Sequence, residues 1–314
     1  MTYDFSQWRY PSLDEGRVEV LGDPHLGRLF RQGVPLHRRG EREELVFQHF
    51  EWALRDVSSL YHVCMGDLFH RPDMPAGVIL RAASAYREAA VRCPHTRFVV
   101  LAGNHDLSRD TSHVSAFHLF EALLAPLPNV RVVHEDAIQI GGYLFVPWSP
   151  TRTSREMVAP WLETPLDAVF GHWDVVNPMS DANMVPTLPL AKMILTGHDH
   201  LRRDVGEKVR VVGSMQPYAH GEDWTGAMYQ TVLLDEIPAD PRMMCLRIVG
   251  DAIPADLDAL QITLQPPRAE EGSAPEITLE GFDMRSTWME AFAEFGVSAK
   301  LRDELFDRFS QQEA

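Results

Sequence analysis

Five short motifs hold most of the metal-ligand chemistry in this 314-residue chain. They are Asp23-Pro24-His25, Asp67 within GDLFH, Asn104-His105 within GNHD, His172 within GHW, and His198-Asp199-His200 within GHDH. Carboxylate, amide and imidazole side chains recur in them, and thiolates are absent. That mixture suits manganese, iron or zinc at a working site better than a closed structural zinc site. Gly22, Gly66, Gly103, Gly171 and Gly197 each adjoin one of these residues. A residue without Cβ lets the backbone turn sharply and approach closely. One Gly-x-His would carry no weight. Five such motifs in order, each closing an apolar run, form a strong signal.

The apolar runs are the elements that must position these residues. Residues 18–21, 62–65, 98–101, 168–170 and 193–195 read as buried strands, each ending at one motif. Helical spacing covers residues 41–60, with Val46, Phe47, Phe50, Leu54 and Val57 on one face, and residues 75–92 and 115–124. Pro75 suits a helix's first turn. Residues 130–133, 138–140, 143–146, 209–212, 228–234 and 244–249 complete the strands, and Gly141-Gly142 is a two-residue hairpin signal. Strands alternate with helices early and pair as hairpins later, which predicts an α/β sandwich with a mixed sheet. In such sheets the C-terminal strand ends meet at one edge, so motifs distant in sequence converge there. Residues 1–17 are polar and show little pattern.

Composition bounds the rest. Hydrophobic residues make up 45% and charged residues 24%, enough for a real core. No apolar run reaches a membrane span, and the first residues lack a basic start followed by an apolar stretch, so a cytoplasmic protein is expected, with no membrane association. Three cysteines without a CxxC pair suggest a reducing compartment. Twenty-nine basic against forty-five acidic residues give −16, a poor general polyanion binder unless metals or a local basic patch offset the field. Half of that excess lies from Asp240 onward, where 7 Lys and Arg face 15 Asp and Glu. Residues 264–276 read as a linker. Beyond it, Trp288, Met289, Phe292 and Phe295, then Leu301, Leu305, Phe306 and Phe309, form two short amphipathic stretches.

The series DPHLG, GDLFH, GNHD, GH and GHDH resembles the calcineurin-like metallophosphoesterase superfamily. Within it, HLGR after the first Asp and GDLFH resemble the SbcD nuclease family and its "meiotic recombination eleven" counterparts. The segment GSMQPYAHGED (213–223) is similar to that family's GS…P…GE segment. The short length, small cap and C-terminal hairpin look most like the phage branch, the nuclease subunit of T-even-type recombination endonucleases; a phage protein would work in the host cytoplasm. The motif resemblance covers residues 18–236.

The resemblance implies a calcineurin-like β-sandwich flanked by helices, with a nuclease domain over 1–238, a small cap remnant over 239–263, the linker, and a helical hairpin over 277–314. It implies that Asp23, His25 and His200 hold one metal, that Asn104, His172 and His198 hold a second, and that Asp67 bridges both. His105 and His70 contact the scissile phosphate or protonate the departing oxygen, and Asp106 orients His105. Two manganese ions are the implied cofactors, with magnesium, iron or zinc as substitutes. Metals about 3.5–4 Å apart stabilise attacking and leaving oxygens in one in-line displacement. The implied activity is a DNA nuclease, 3′→5′ on duplex ends and endonucleolytic on single strands. Its expected partners are DNA, an SbcC-type SMC-like ABC ATPase docked through residues 277–312, and a second copy of the chain in a homodimer.

Other readings stand beside these. Arg28, Arg31, Arg38, Arg39 and Arg42 are either a solvated loop balanced by Glu41, Glu43 and Glu44 or DNA-phosphate contacts beside the metals. Arg71 and Arg109 share that ambiguity. His113 could face the cleft. His49, His62, His95, His118, His134 and His220 read as surface or satisfied core histidines. The leading alternative activity is a stand-alone phosphodiesterase or phosphatase on nucleotides or small phosphoesters. The Ser/Thr protein phosphatase branch fits less well, since it carries GDxVDRG and GNHE. A non-catalytic scaffold sits poorly with an intact ligand set.

Overall fold

A computed structural model describes residues 3–266 and Leu301. The chain divides into two compact units, Met1–Pro266 and Pro267–Ala314. Every strand and helix below belongs to the first. The hairpin expected over 277–314 and all but the start of the expected linker lie outside the described residues, apart from Leu301.

Three strand–helix repeats and a fourth strand open the fold. β1 (Val18–Leu21), α1 (Glu41–Ala53), β2 (Tyr61–Cys64), α2 (Ala76–Arg92), β3 (Arg97–Leu101), α3 (Ala116–Leu124) and β4 (Val130–Val133) follow one another. The strands form a parallel sheet in the order β1-β2-β3-β4. Parallel neighbours need a crossover, and each helix supplies one. Pro75 stands at the cap of α2 and Ser115 at the cap of α3.

A second sheet follows. β5 (Ile138–Ile140) and β6 (Tyr143–Val146) pair antiparallel across Gly141-Gly142. After α4 (Ser154–Val158) come β7 (Ala168–Gly171), β8 (Ile194–Thr196), β9 (Arg203–Val205) and β10 (Val209–Val211). The order is β5-β6-β7-β8-β10-β9, parallel from β6 through β10 and antiparallel at both edges.

Alternation along the strands divides the side chains between layers. Val20, Val63, Val99 and Leu101 meet Phe145, Phe170 and Leu195 between the two sheets. On the other side of the first sheet, Cys64, Phe98 and Val100 pack under Phe50, Tyr86, Phe117 and Phe120 of the helices. Leu144, Val146, Val169 and Trp173 face outward from the second sheet into a further core. The result is a two-sheet sandwich with helices over the parallel sheet. The motif loops lie along its rim.

A third, small sheet joins β11 (Tyr229–Leu233), β12 (Cys245–Val249) and β13 (Gln261–Gln265), all parallel. β13 occupies the end of the expected cap and the first two positions of the expected linker. Its backbone ties to the arginine-bearing loop, because Ile262 N donates to Gly33 O at 2.7 Å.

Residues 3–10 depart from the sequence expectation. Phe5 and Trp8 are buried against Leu45 of α1 and against Met228, Tyr229, Cys245 and Leu260. The segment is a single 3-10 turn with coil, so its aromatics carry no helical or strand period, yet each buried ring stabilises by about 1.5–3 kcal/mol. α1 ends at Ala53, earlier than its apolar spacing suggested. Among the described residues no helix is long and apolar enough to cross a membrane.

Candidate metal centre

Asp23 and His25 follow β1, Asp67 follows β2, Asn104 and His105 follow β3, His172 follows β7, and His198 and His200 follow β8. All these strands run parallel within their sheets, so their C-terminal ends deliver the side chains to one rim. Backbone geometry marks the same place. His25, Asp67 and His198 have φ of 45°, 47° and 74°. Non-glycine residues rarely adopt this left-handed region, and such strain persists only where the surroundings impose it. Gly103 leaves room for Asp67 in this conformation: a Cβ there would lie 2.4 Å from Asp67 N.

Two donor groups share one carboxylate. Asp67 Oδ2 lies 3.5 Å from His25 Nε2 and 3.4 Å from His172 Nε2. On one side, His25 Nε2 faces His200 Nε2 at 2.9 Å, and Asp23 completes a set whose ligand atoms lie within 4.8 Å of one another. On the other side, Asn104 Oδ1 lies 3.1 Å from His172 Nε2 and 2.8 Å from His198 Nδ1. Asp67, His172 and His198 form the second compact set.

The chemistry of this donor set fits cations. Asp23 is completely buried, and its Oδ1 has no hydrogen-bond partner. Burial pushes its carboxyl up to about 6, against the pull of His172. Burial alone would lower His172, yet Asp67 and Asp23 hold it up to about 10. Two buried carboxylates that raise a neighbouring imidazole this far create a field that favours positive charge at their centre. Each group offers oxygen and imidazole nitrogen, as divalent transition ions prefer.

His70 and His105 stand beside the first group. Their rings are 5.6 Å apart and nearly parallel, and His105 meets His25 edge-on at 4.8 Å. His105 Nδ1 faces the backbone carbonyl of His70 at 2.8 Å, which leaves Nε2 for substrate. Burial, reinforced by Arg28, pushes His70 down to about 4. At neutral pH His70 is therefore an uncharged hydrogen-bonding group and not a reservoir of acid.

Asp106 corrects an expectation. Its carboxylate accepts from Gly103 N at 2.8 Å, Phe69 N at 2.8 Å and Leu68 N at 3.2 Å. It makes no bond to His105. The completely buried carboxylate ties the GDLFH and GNHD loops together, and His70 O, not Asp106, orients the His105 ring.

The arginines separate as well. Arg28 lies over the Tyr218 ring at 5.0 Å, next to the histidine cluster. Arg109 lines a groove of about 480 Å³ together with Asn104, Trp148 and His198. Arg31, Arg39 and Arg71 are exposed. Arg38 is buried and bonded to Glu41 and Asp258, and Arg42 is buried between the Phe30 and Tyr229 rings, so neither side chain is offered to DNA. For Arg38 this corrects the phosphate-contact expectation: two carboxylates already neutralise the charge. His113 pairs with Asp73. His49 and His62 are buried, but their Nδ1 atoms lack partners.

Two acidic residues that the motif pattern does not mark lie against candidate ligands. Asp174 Oδ1 lies 2.8 Å from His198 Nε2, and Glu222 Oε1 lies 3.1 Å from His200 Nδ1. Asp174 lies two residues after His172, and Glu222 lies within the GSMQPYAHGED segment; an acidic residue near a candidate ligand was the available signal.

Residues 16–202 match the model of the calcineurin-like phosphoesterase family. The chain belongs to that family. It is a metal-dependent phosphoesterase, a hydrolase of ester bonds. No curated protein matches the chain. Among solved structures it is similar to Pseudomonas putida nuclease MPE, at 14% identity and a TM-score of 0.31, over 64% of this chain and 74% of that one.

Proposed function

We propose that this phosphoesterase is a DNA nuclease, working 3′→5′ on duplex ends and endonucleolytically on single strands. Asp23, His25 and His200 would hold one manganese ion, Asn104, His172 and His198 would hold a second, and Asp67 would serve both. The observation that carries the two-ion site is Asp67 Oδ2, set between the two histidine groups at 3.5 and 3.4 Å. When bound, such a pair of cations neutralises charge developing on the phosphoryl oxygens and makes hydroxide available near neutral pH.

The chain's own residues do the rest. His105, with Nδ1 engaged by His70 O, presents Nε2 to a phosphate oxygen or to the departing 3′-oxygen. His70 adds a neutral contact beside it. Arg28 offers a fixed positive charge at the mouth of the site, which suits a flanking phosphate. The GDLFH and GNHD motifs and the His70–His105 pair favour a diester nuclease within the family. By the same resemblance, a homodimer and an SbcC-type ATPase, docked through residues 277–312, complete the assembly.

The purified protein should degrade linear duplex DNA with manganese and far less with magnesium. Hydrolysis of p-nitrophenyl esters without any cleavage of DNA would instead establish a small-phosphoester phosphodiesterase. Removal of residues 277–314 should abolish ATPase association and spare manganese-dependent cleavage; association that survives would refute the docking assignment.

A further inference from the structure

We infer that Asp174 and Glu222 are positioning residues that dictate which nitrogen of His198 and of His200 is turned toward each metal group. The inference rests on the two-ion reading above and extends it to residues outside the ligand set.

The tautomers follow from the carboxylates that the two rings face. A carboxylate only accepts, so the ring nitrogen that faces it must carry the proton. His198 Nε2 faces Asp174 Oδ1 at 2.8 Å; its Nδ1 then keeps a lone pair, and that atom lies 2.8 Å from Asn104 Oδ1. His200 is arranged the opposite way. Its Nδ1 faces Glu222 Oε1 at 3.1 Å, and its Nε2, lone pair free, lies 2.9 Å from His25 Nε2. Two histidines separated by a single residue thus present different nitrogens to two different groups. An imidazole without its carboxylate could flip or exchange tautomer and aim N–H at the cation.

Both carboxylates are held before any ion arrives. Asp174 N donates to Asn183 O at 2.9 Å, its own carbonyl accepts from Val185 N at 3.0 Å, and its Oδ2 accepts from Asn177 Nδ2 at 3.3 Å. Glu222 Oε2 accepts from Tyr218 N at 2.8 Å. Their side chains are only 17% and 20% exposed, so water competes weakly for these contacts. The clamps come from separate loops, one after β7 and one before β11. Each therefore acts on one metal group and not on the other.

The test is manganese binding by the full chain, followed by calorimetry and by the metal content of the dialysed protein. Asp174→Ala should weaken one of two ions by about 10–100-fold and leave the other unchanged; Glu222→Ala should do the same to the other ion. In a His200→Ala background, where the first group is crippled, Asp174→Ala should still lower the remaining affinity and Glu222→Ala should not. Asp174→Asn and Glu222→Gln, which retain an acceptor oxygen, should recover part of the loss. The melting temperature of the metal-free protein should stay close to that of the unsubstituted chain. Wild-type affinity for both ions in the alanine variants, or equal weakening of both ions, overturns the inference while the two-ion reading stands. An unsubstituted protein that takes fewer than two ions overturns both.

Discussion

The Gly103→Ala substitution adds one methyl group and should dismantle the metal centre. The new Cβ would stand 2.2 Å from Asp67 Oδ1, 2.4 Å from Asp67 N and 2.8 Å from Asp67 Cγ, where ordinary contact starts at 3.4 Å. Relief requires a movement of about 1 Å, and the crowded atoms include backbone, so a rotamer change cannot provide it. Asp67 already has φ of 47°, and its Oδ1 accepts from His105 N at 2.9 Å, so the shift drags the bridging carboxylate and His105 together. Misplacement of about 1 Å in reacting groups costs on the order of 100-fold in rate. Overpacking of this kind costs about 1–3 kcal/mol of stability. The assay is kcat on bis-p-nitrophenyl phosphate with saturating manganese, together with bound metal per chain. Gly77→Ala is the control, since a Cβ at Gly77 meets nothing within 4 Å and that glycine sits in α2. A Gly103→Ala protein that binds two ions and turns over within threefold of the unsubstituted enzyme would refute the reasoning.

Three further outcomes are expected. His105→Gln should keep both ions, because the contact to Asp67 is made by the backbone N–H, and should lose about 10²–10⁴-fold in kcat; loss of metal would contradict this division of roles. Arg28→Ala should raise KM for DNA and reduce the salt dependence of DNA binding by about one unit of slope, with bis-p-nitrophenyl phosphate unaffected; an equal effect on both substrates would place Arg28 elsewhere in the reaction. Buried His49 and His62 are lowered to about 3 and about 4 by desolvation. The unfolded chain therefore binds protons that the native state refuses. Their contribution to stability is complete above pH 6.5 and declines as the pH falls toward 4, by roughly 3 kcal/mol for each group. Urea unfolding of the metal-free protein from pH 7.5 to 4.5 checks this against His62→Met, which should have a flatter profile; identical profiles would exclude the effect.

The strand-and-loop logic around the site was legible because each motif-bearing strand is short, apolar and reaches a glycine at its end or within two residues of it. Val18–Leu21 and Arg97–Leu101 end where their runs end, and Tyr61–Cys64 ends one residue before its run does. Arg203–Val205 escaped because it is a three-residue edge strand with two charged residues, and Gln261–Gln265 escaped because it is an edge strand of alternating residues whose apolar members, Ile262 and Leu264, are not fully buried. Phe5 and Trp8 escaped because their burial is set by contacts more than 200 residues away, to Met228 and Tyr229, and not by any local period. At the site, residue type and spacing reveal which side chains converge, but not how they divide their hydrogen bonds. Asp106 lies beside His105 in sequence yet bonds to three backbone amides, whereas Asp174 and Glu222 reach histidines 24 and 22 positions away. Arg38 and Arg42 stayed open between loop ion pairs and DNA contacts because the partners that bury them, Asp258 beside the local Glu41 and the Tyr229 ring beside Phe30, lie far along the chain.

The most direct test of the metal centre is a crystal grown with excess manganese and measured for anomalous scattering. Two peaks about 3.5–4 Å apart are expected, with Asp67 Oδ2 touching both, His25 and His200 on one, and Asn104, His172 and His198 on the other. A single peak, or an Asp67 carboxylate out of reach of either ion, would contradict the account.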